Sequence, residues 1–204
     1  LNLSVIANVA RNEYMFTPSD RTTSFGTLEN VKEFKVYFGG WESDLFNTLF
    51  GAVSLNYAPN EYNMFTLQTS AFSTREEETY DIIGEYWLDD INSDRTMAVG
   101  GYMEHARNYL DADVRTVSLS GKHYLASNDM RWGVEYKREV FSDNMREWEL
   151  RDSAGYNIPN SSSVLRPVYS LLSRSSCSTD KFSAYIQNTY KFSCSLGLVS
   201  LTAG

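Results

Sequence analysis

Few side chains in this 204-residue chain could carry chemistry. The histidines are His105 and His123, and the cysteines are Cys177 and Cys194. A metal centre needs two or three further ligands beside a histidine. Only Glu104 adjoins His105, and in an extended chain it points to the other face. Both histidines fall on the apolar parity of their segments, which reads as packed or interfacial imidazole. A Ser-His-Asp site needs serine, base and carboxylate within hydrogen-bond reach. Ser120 and His123 fall on opposite faces of a strand, which argues against that pair. Carboxylates gather at Glu76–Glu78, at Asp111 with Asp113, and from Asp143 to Asp152. Hard divalent cations take such oxygens, but no calcium-loop spacing is present, and a solvated rim is the plainer reading. No catalytic residue, metal ligand or cofactor motif is expected.

The formal charge of −8 disfavours a nucleic-acid partner, which would call for a basic patch against phosphate. Two cysteines are too few for a disulfide scaffold. No run of apolar residues is long enough for a transmembrane helix, but spanning strands alternate and escape hydropathy scans. The chain opens on Leu1 without a charged and then apolar leader, and its last residues read as a strand in mid-course. It is therefore expected to be a piece of a longer polypeptide, with residues 1–204 forming part of one domain.

Period-two alternation dominates. From Met130 to Val140, the residues Met130, Trp132, Val134, Tyr136, Arg138 and Val140 share one face. Arg131, Gly133, Glu135, Lys137 and Glu139 take the other. From Lys181 to Phe192, the residues Phe182, Ala184, Ile186, Tyr190 and Phe192 share a face with Asn188 and oppose Lys181, Ser183, Tyr185, Gln187, Thr189 and Lys191. Weaker alternation marks 48–57, 65–71, 80–88, 97–104 and 116–125, while Asn30–Phe38 is ambiguous. The runs extend over about 10 to 13 residues, longer than the soluble average and enough to cross a bilayer. The expected fold is all-β: an antiparallel up-and-down transmembrane β-barrel portion, an open arc of roughly nine long strands. Trp132, Val134, Ile186 and Leu119 would face lipid, and Glu135, Lys137, Gln187 and Lys191 the lumen. Tyr57, Tyr62, Tyr80, Tyr136, Tyr190 and Phe192 would form aromatic girdles.

The connections sort by length. Tight turns are read at 58–61, 90–94, 127–129 and 194–197, and longer links at 11–45, 74–78, 110–112 and 144–180. If strands alternate up and down, the tight turns share one end and the longer links the other, as in outer-membrane barrels with short periplasmic turns. The outward loops would then hold the ligand contacts, with Trp41, Trp148, Arg151 and Tyr156 as candidates. Cys177 would lie in such a loop and Cys194 at a turn. An extended strand of about 45 Å separates them, far beyond disulfide reach, so both are expected to be free thiols.

Four stretches resemble a known family: ETYDIIGEYWL at 78–88, VGGYMEHARNYL at 99–110, EWELRDSAGY at 147–156 and SAYIQNTY at 183–190. They are similar to TonB-dependent outer-membrane receptors, of the type with an N-terminal carboxypeptidase-regulatory-like domain. The resemblance implies a barrel of about 22 strands with a plugged lumen, of which this chain would be a middle portion. It further implies an outer-membrane location and active uptake of a scarce ligand: a siderophore, cobalamin, a peptide or a glycan. The implied partners are membrane lipid, the protein's own plug domain, a TonB-type energising protein and a surface lipoprotein. A passive porin-like barrel, a soluble β-sandwich binding or adhesion module, and an outer-membrane enzyme on a small barrel are the competing readings. The last needs a catalytic constellation that the sequence does not offer.

Overall fold

Alternating side chains favour pleated strands, and here they produce little else. The structure, a computed structural model, describes residues 1–27, 29–153, 167–195 and 197–204. Its strands are β1 (Asn2–Phe16), β2 (Arg21–Thr27), β3 (Asn30–Asn60), β4 (Asn63–Asp90), β5 (Arg95–Leu125), β6 (Asn128–Asp152), β7 (Pro167–Cys194) and β8 (Gly197–Ala203). No helix occurs among the described residues. All eight strands form one antiparallel sheet in the order β1-β3-β4-β5-β6-β7-β8, with β2 also on β3.

β1 and β2 lie end to end along the same edge of β3. Phe16 pairs with Glu42, and Arg21 with Val36. They act as one interrupted ribbon, and Asp20 closes the gap: its Oδ1 accepts the Phe38 amide at 2.8 Å. The ambiguous segment 30–38 is therefore strand. The sheet is an open meander, so β1 and β7–β8 leave unpaired edges.

Strand length departs from the expectation of roughly nine runs, each just long enough to cross a bilayer. β3 to β7 contain 31, 28, 31, 25 and 28 residues. A ribbon of 28 residues spans about 90 Å, several times what a bilayer requires. The links expected at 74–78 and 110–112 lie inside β4 and β5, and 144–180 is largely β6 and β7. The physical reason is a change of phase. On β4, apolar residues occupy odd positions from Phe65 to Ala71 and even positions from Tyr80 to Leu88, with no register shift before Tyr86. The apolar row thus crosses from one face to the other at a charged stretch, which imitates a loop between two strands. The turn parity falls with it: the turn after Asp90 lies at the opposite end of the sheet from those after Asn60, Leu125 and Cys194.

The turns are built locally. Asn60 Oδ1 accepts from the Tyr62 amide at 3.0 Å and from Asn63 Nδ2 at 2.8 Å. Between Leu125 and Asn128, Ala126 adopts φ 49°, a left-handed conformation that costs an alanine. Within the sheet, glycines at 84, 121 and 133 make room for aromatic partners, Gly84 for Tyr102. A Cβ on Gly121 would lie 2.5 Å from Trp132 Nε1, and one on Gly133 would lie 2.5 Å from the Tyr185 ring. Each ring lies across the glycine it pairs with, covering backbone that would otherwise be bare.

One layer leaves no core. Ala106 and Ala112 are the only buried apolar side chains among the described residues, both on one face of the central strand β5. On the opposite face, Trp132, Val134 and Tyr136 have no second sheet over them. Cys177 lies in β7, not in a loop, and is free. Its sequence position is 17 residues from Cys194 on the same ribbon, so the backbone separates them by about 55 Å.

Replacing Ala126 with Gly is expected to raise the unfolding free energy by about 1 kcal/mol, because the turn strain disappears. A urea titration that shows no upward shift of the midpoint refutes strain at this turn.

Candidate functional site

The register gathers chemically capable side chains in the upper part of β3–β6, beyond the purely apolar rows. Cα partners Trp41–Asp81, Asp81–His105 and His105–Trp148 form one row across four strands. Gly40 sets its start: it has φ 99°, and a Cβ there would lie 1.8 Å from the Asp81 carbonyl oxygen. Two of the ligand candidates, Trp41 and Trp148, thus share a face but stand on strands rather than loops. The His105 ring stacks on Trp148 at 5.0 Å, and the Arg107 guanidinium lies 5.9 Å from the Trp41 ring centroid. Asp81 Oδ1 is 2.5 Å from His105 Nδ1, and its Oδ2 accepts from Arg107. Arg107 also donates to the Tyr80 carbonyl at 3.0 Å. Burial pushes the Asp81 carboxyl up, but the hydrogen bonds and charges of Arg107 and His105 outweigh it, so Asp81 titrates below the usual carboxylate range. Both of its oxygens are engaged, so it is a structural anion and not a free base.

The other candidates separate. Arg151 pairs with Tyr102 in register and so sits on the opposite face, where it binds Glu149. Tyr156 lies outside the described residues. The girdle candidate Tyr80 is also on that opposite face, in mid-strand. It is not at a strand end because β4 does not end there.

That opposite face is acidic. The partners Glu42–Tyr80, Tyr80–Ala106 and Ala106–Glu147 form one row, and Asp44–Glu78, Glu78–Asn108 and Asn108–Met145 the next. Asn108, 9% exposed, is the clamp: its Nδ2 donates to Glu78 at 3.0 Å and to Glu147 at 2.7 Å. Its Oδ1 accepts the Arg146 amide at 3.3 Å. Tyr169 donates to the second Glu147 oxygen at 3.0 Å. Glu42, Asp44 and Glu78 each bring a carboxylate oxygen within 4.8 Å of the others. Asp44 Oδ1 is shielded from solvent and has no hydrogen-bond partner. An all-oxygen donor set of this kind suits a hard divalent cation. Burial, then the charges of Asp44 and Glu78, raise the pKa of Glu42. Burial and Glu149 raise Glu104 likewise. Tyr80 is pushed up to about 12 by burial and then by Glu147, Glu104, Glu78 and Glu42.

Beyond the acids on this face lies an aromatic ladder. Phe34 stacks on Tyr86 at 5.7 Å, Tyr86 meets Tyr102 at 6.0 Å, and Phe38 meets Tyr102 edge-on at 6.5 Å. Sequence reasoning missed Glu42, Asp44, Asp81, Arg107 and Asn108 as members of clusters. Their alignment depends on 74–78 and 110–112 being strand, and only cross-strand register reveals it. His123 is packed, as expected: Trp132 Nε1 donates to its Nε2 at 2.9 Å, and its Nδ1 lies 2.7 Å from Asn63 Oδ1. Ser120 and His123 fall on opposite faces. His105 thus hydrogen-bonds Asp81, His123 hydrogen-bonds Asn63 and Trp132, and Ser24 donates to Glu33 at 3.4 Å.

No family model matches this chain, and no curated protein matches it.

The raised carboxyls fix a pH dependence. Glu42 and Glu104 bind protons more tightly folded than unfolded, so their contribution is fully present below about 4.5 and is lost as pH rises through their raised values. The urea midpoint should therefore include a component that falls as pH rises above about 4.5, and Glu42→Gln with Glu104→Gln should flatten it. An unchanged slope in that double variant refutes this assignment.

Proposed function

We propose that this chain is a wall segment of an outer-membrane uptake barrel of the TonB-dependent receptor type. One observation carries the membrane reading. Two neighbouring cross-strand rows, Leu3–Leu55–Leu67–Leu119–Val134–Ala184 and Val5–Val53–Thr69–Val117–Tyr136–Phe182, stand on one face of a single layer. Leu3 is 61% exposed and Phe182 80%. Water tolerates contiguous apolar surface of this extent poorly, whereas hydrocarbon solvates it. The row between them on the other face, Ser54–Gln68–Ser118–Glu135–Ser183, is polar throughout, as a wet lumen demands.

Further support comes from position. The apolar rows lie near the short turns after Asn60, Leu125 and Cys194, and the ribbons run far beyond them at the other end. That matches short periplasmic turns with long extracellular extensions. The acidic and aromatic face of those extensions is on the lumen side of the wall, where an incoming ligand would meet it. A plug domain and a TonB-type energising partner complete this reading, with a surface lipoprotein as a further partner.

Spin labels at residues 118 and 119, in a Cys177→Ser/Cys194→Ser background reconstituted into vesicles, test the wall. Label 119 should be relaxed by oxygen and label 118 by a water-soluble nickel chelate. Equal hydration of both refutes the membrane reading. In the complete polypeptide, uptake should stop when the proton-motive force collapses; uptake that persists indicates a passive porin.

A further inference from the structure

On the apolar face, a groove of about 440 Å³ runs between Val117, Leu119, Val134, Tyr136, Phe182 and Ala184. At its upper end, where the apolar rows stop, Arg115 and Arg138 are direct cross-strand partners. Like charges placed directly opposite one another disfavour strand pairing. Neither guanidinium has a carboxylate within ion-pair distance among the described residues. The nearest acid in register is Asp180, opposite Arg138, and its Oδ1 already accepts the Tyr136 hydroxyl at 2.7 Å. Asp113 lies one row further out on the same face. Both arginines are exposed. The sheet thus holds two adjacent guanidiniums without a direct carboxylate ion pair, Arg138 sharing the Tyr136 hydroxyl with Asp180, at the level where, on the membrane reading, hydrocarbon gives way to headgroups.

We propose that this groove and arginine pair bind one anionic lipid: an acyl chain lies along the groove, and Arg115 and Arg138 share the headgroup phosphate. The inference deepens the membrane reading and rests on it. Guanidinium matches phosphate oxygens in paired hydrogen bonds, and a shared anion turns the repulsion between the two arginines into a bridge. The chain and the phosphate of a single lipid are joined in the order in which groove and arginines follow along the strands. A free phosphate ion would leave the groove bare.

The chain in nanodiscs of phosphatidylethanolamine with a minority of phosphatidylglycerol, analysed by native mass spectrometry, tests this. The wild type should retain phosphatidylglycerol in preference to phosphatidylethanolamine. Arg115→Gln with Arg138→Gln should reduce that preference about tenfold. Arg115→Lys with Arg138→Lys should keep most of it, and Arg146→Gln, on the same face but far from the groove, should leave it intact. Millimolar inorganic phosphate should not displace the lipid; displacement would point to a free-anion site and overturn the proposal. Insertion without lipid preference, or a preference that survives the double Gln change, overturns this proposal alone. Failure to insert overturns the membrane reading as well.

Discussion

A sheet of one layer has no inside. Backbone pairing between neighbouring strands satisfies N–H and C=O groups whatever the side chains are, so the ribbons here can extend to 31 residues without a core beneath them. The cost appears on the faces, each of which must be solvated by whatever lies against it. This constraint explains why the apolar residues form rows and not a cluster, and why the rows change face along β4. Side-chain polarity therefore changes with height along the sheet as well as from face to face.

Charge distribution obeys the same rule. Glu42, Asp44, Glu78, Glu104 and Glu147 fall on one face, whereas Arg75, Arg107, Arg115, Arg138 and Arg146 fall on the other. Asn108 is what makes the crowded carboxylates tolerable, since one amide group serves two of them at once. On the opposite face, Asp81 plays the complementary part, holding His105 and Arg107 beneath two tryptophans. Raised carboxyl pKa values with a bridging amide on one face, and ion pairing on the other, are two answers to the same problem of placing charge on a single layer.

Much of this was legible in the residues. The alternation over 130–140 and 181–192 assigns Trp132, Val134, Phe182 and Ile186 to one face, and the pairing of β6 with β7 places them there together. The all-β class follows from the same pattern. Strand boundaries were not legible, because period-two reasoning assumes that a strand keeps its apolar side. In β4 and β5 that side changes in mid-course, so one ribbon reads as two with a polar link. Losing the boundaries also lost the register, and with it the contacts of Trp41 with Arg107 and of His105 with Asp81. Such partners are far apart in sequence, and no local spacing announces them.

The meander has a further consequence. From β4 to β8 each ribbon pairs only with its neighbours in the chain, so none of these strands serves as a keystone on which the others depend. Adding or removing one hairpin would leave the pairing of every other ribbon unchanged while altering the width of the whole sheet. Width in such an architecture is a matter of counting, and a lineage could broaden or narrow the sheet by duplicating or losing hairpins without redesigning the remaining ribbons.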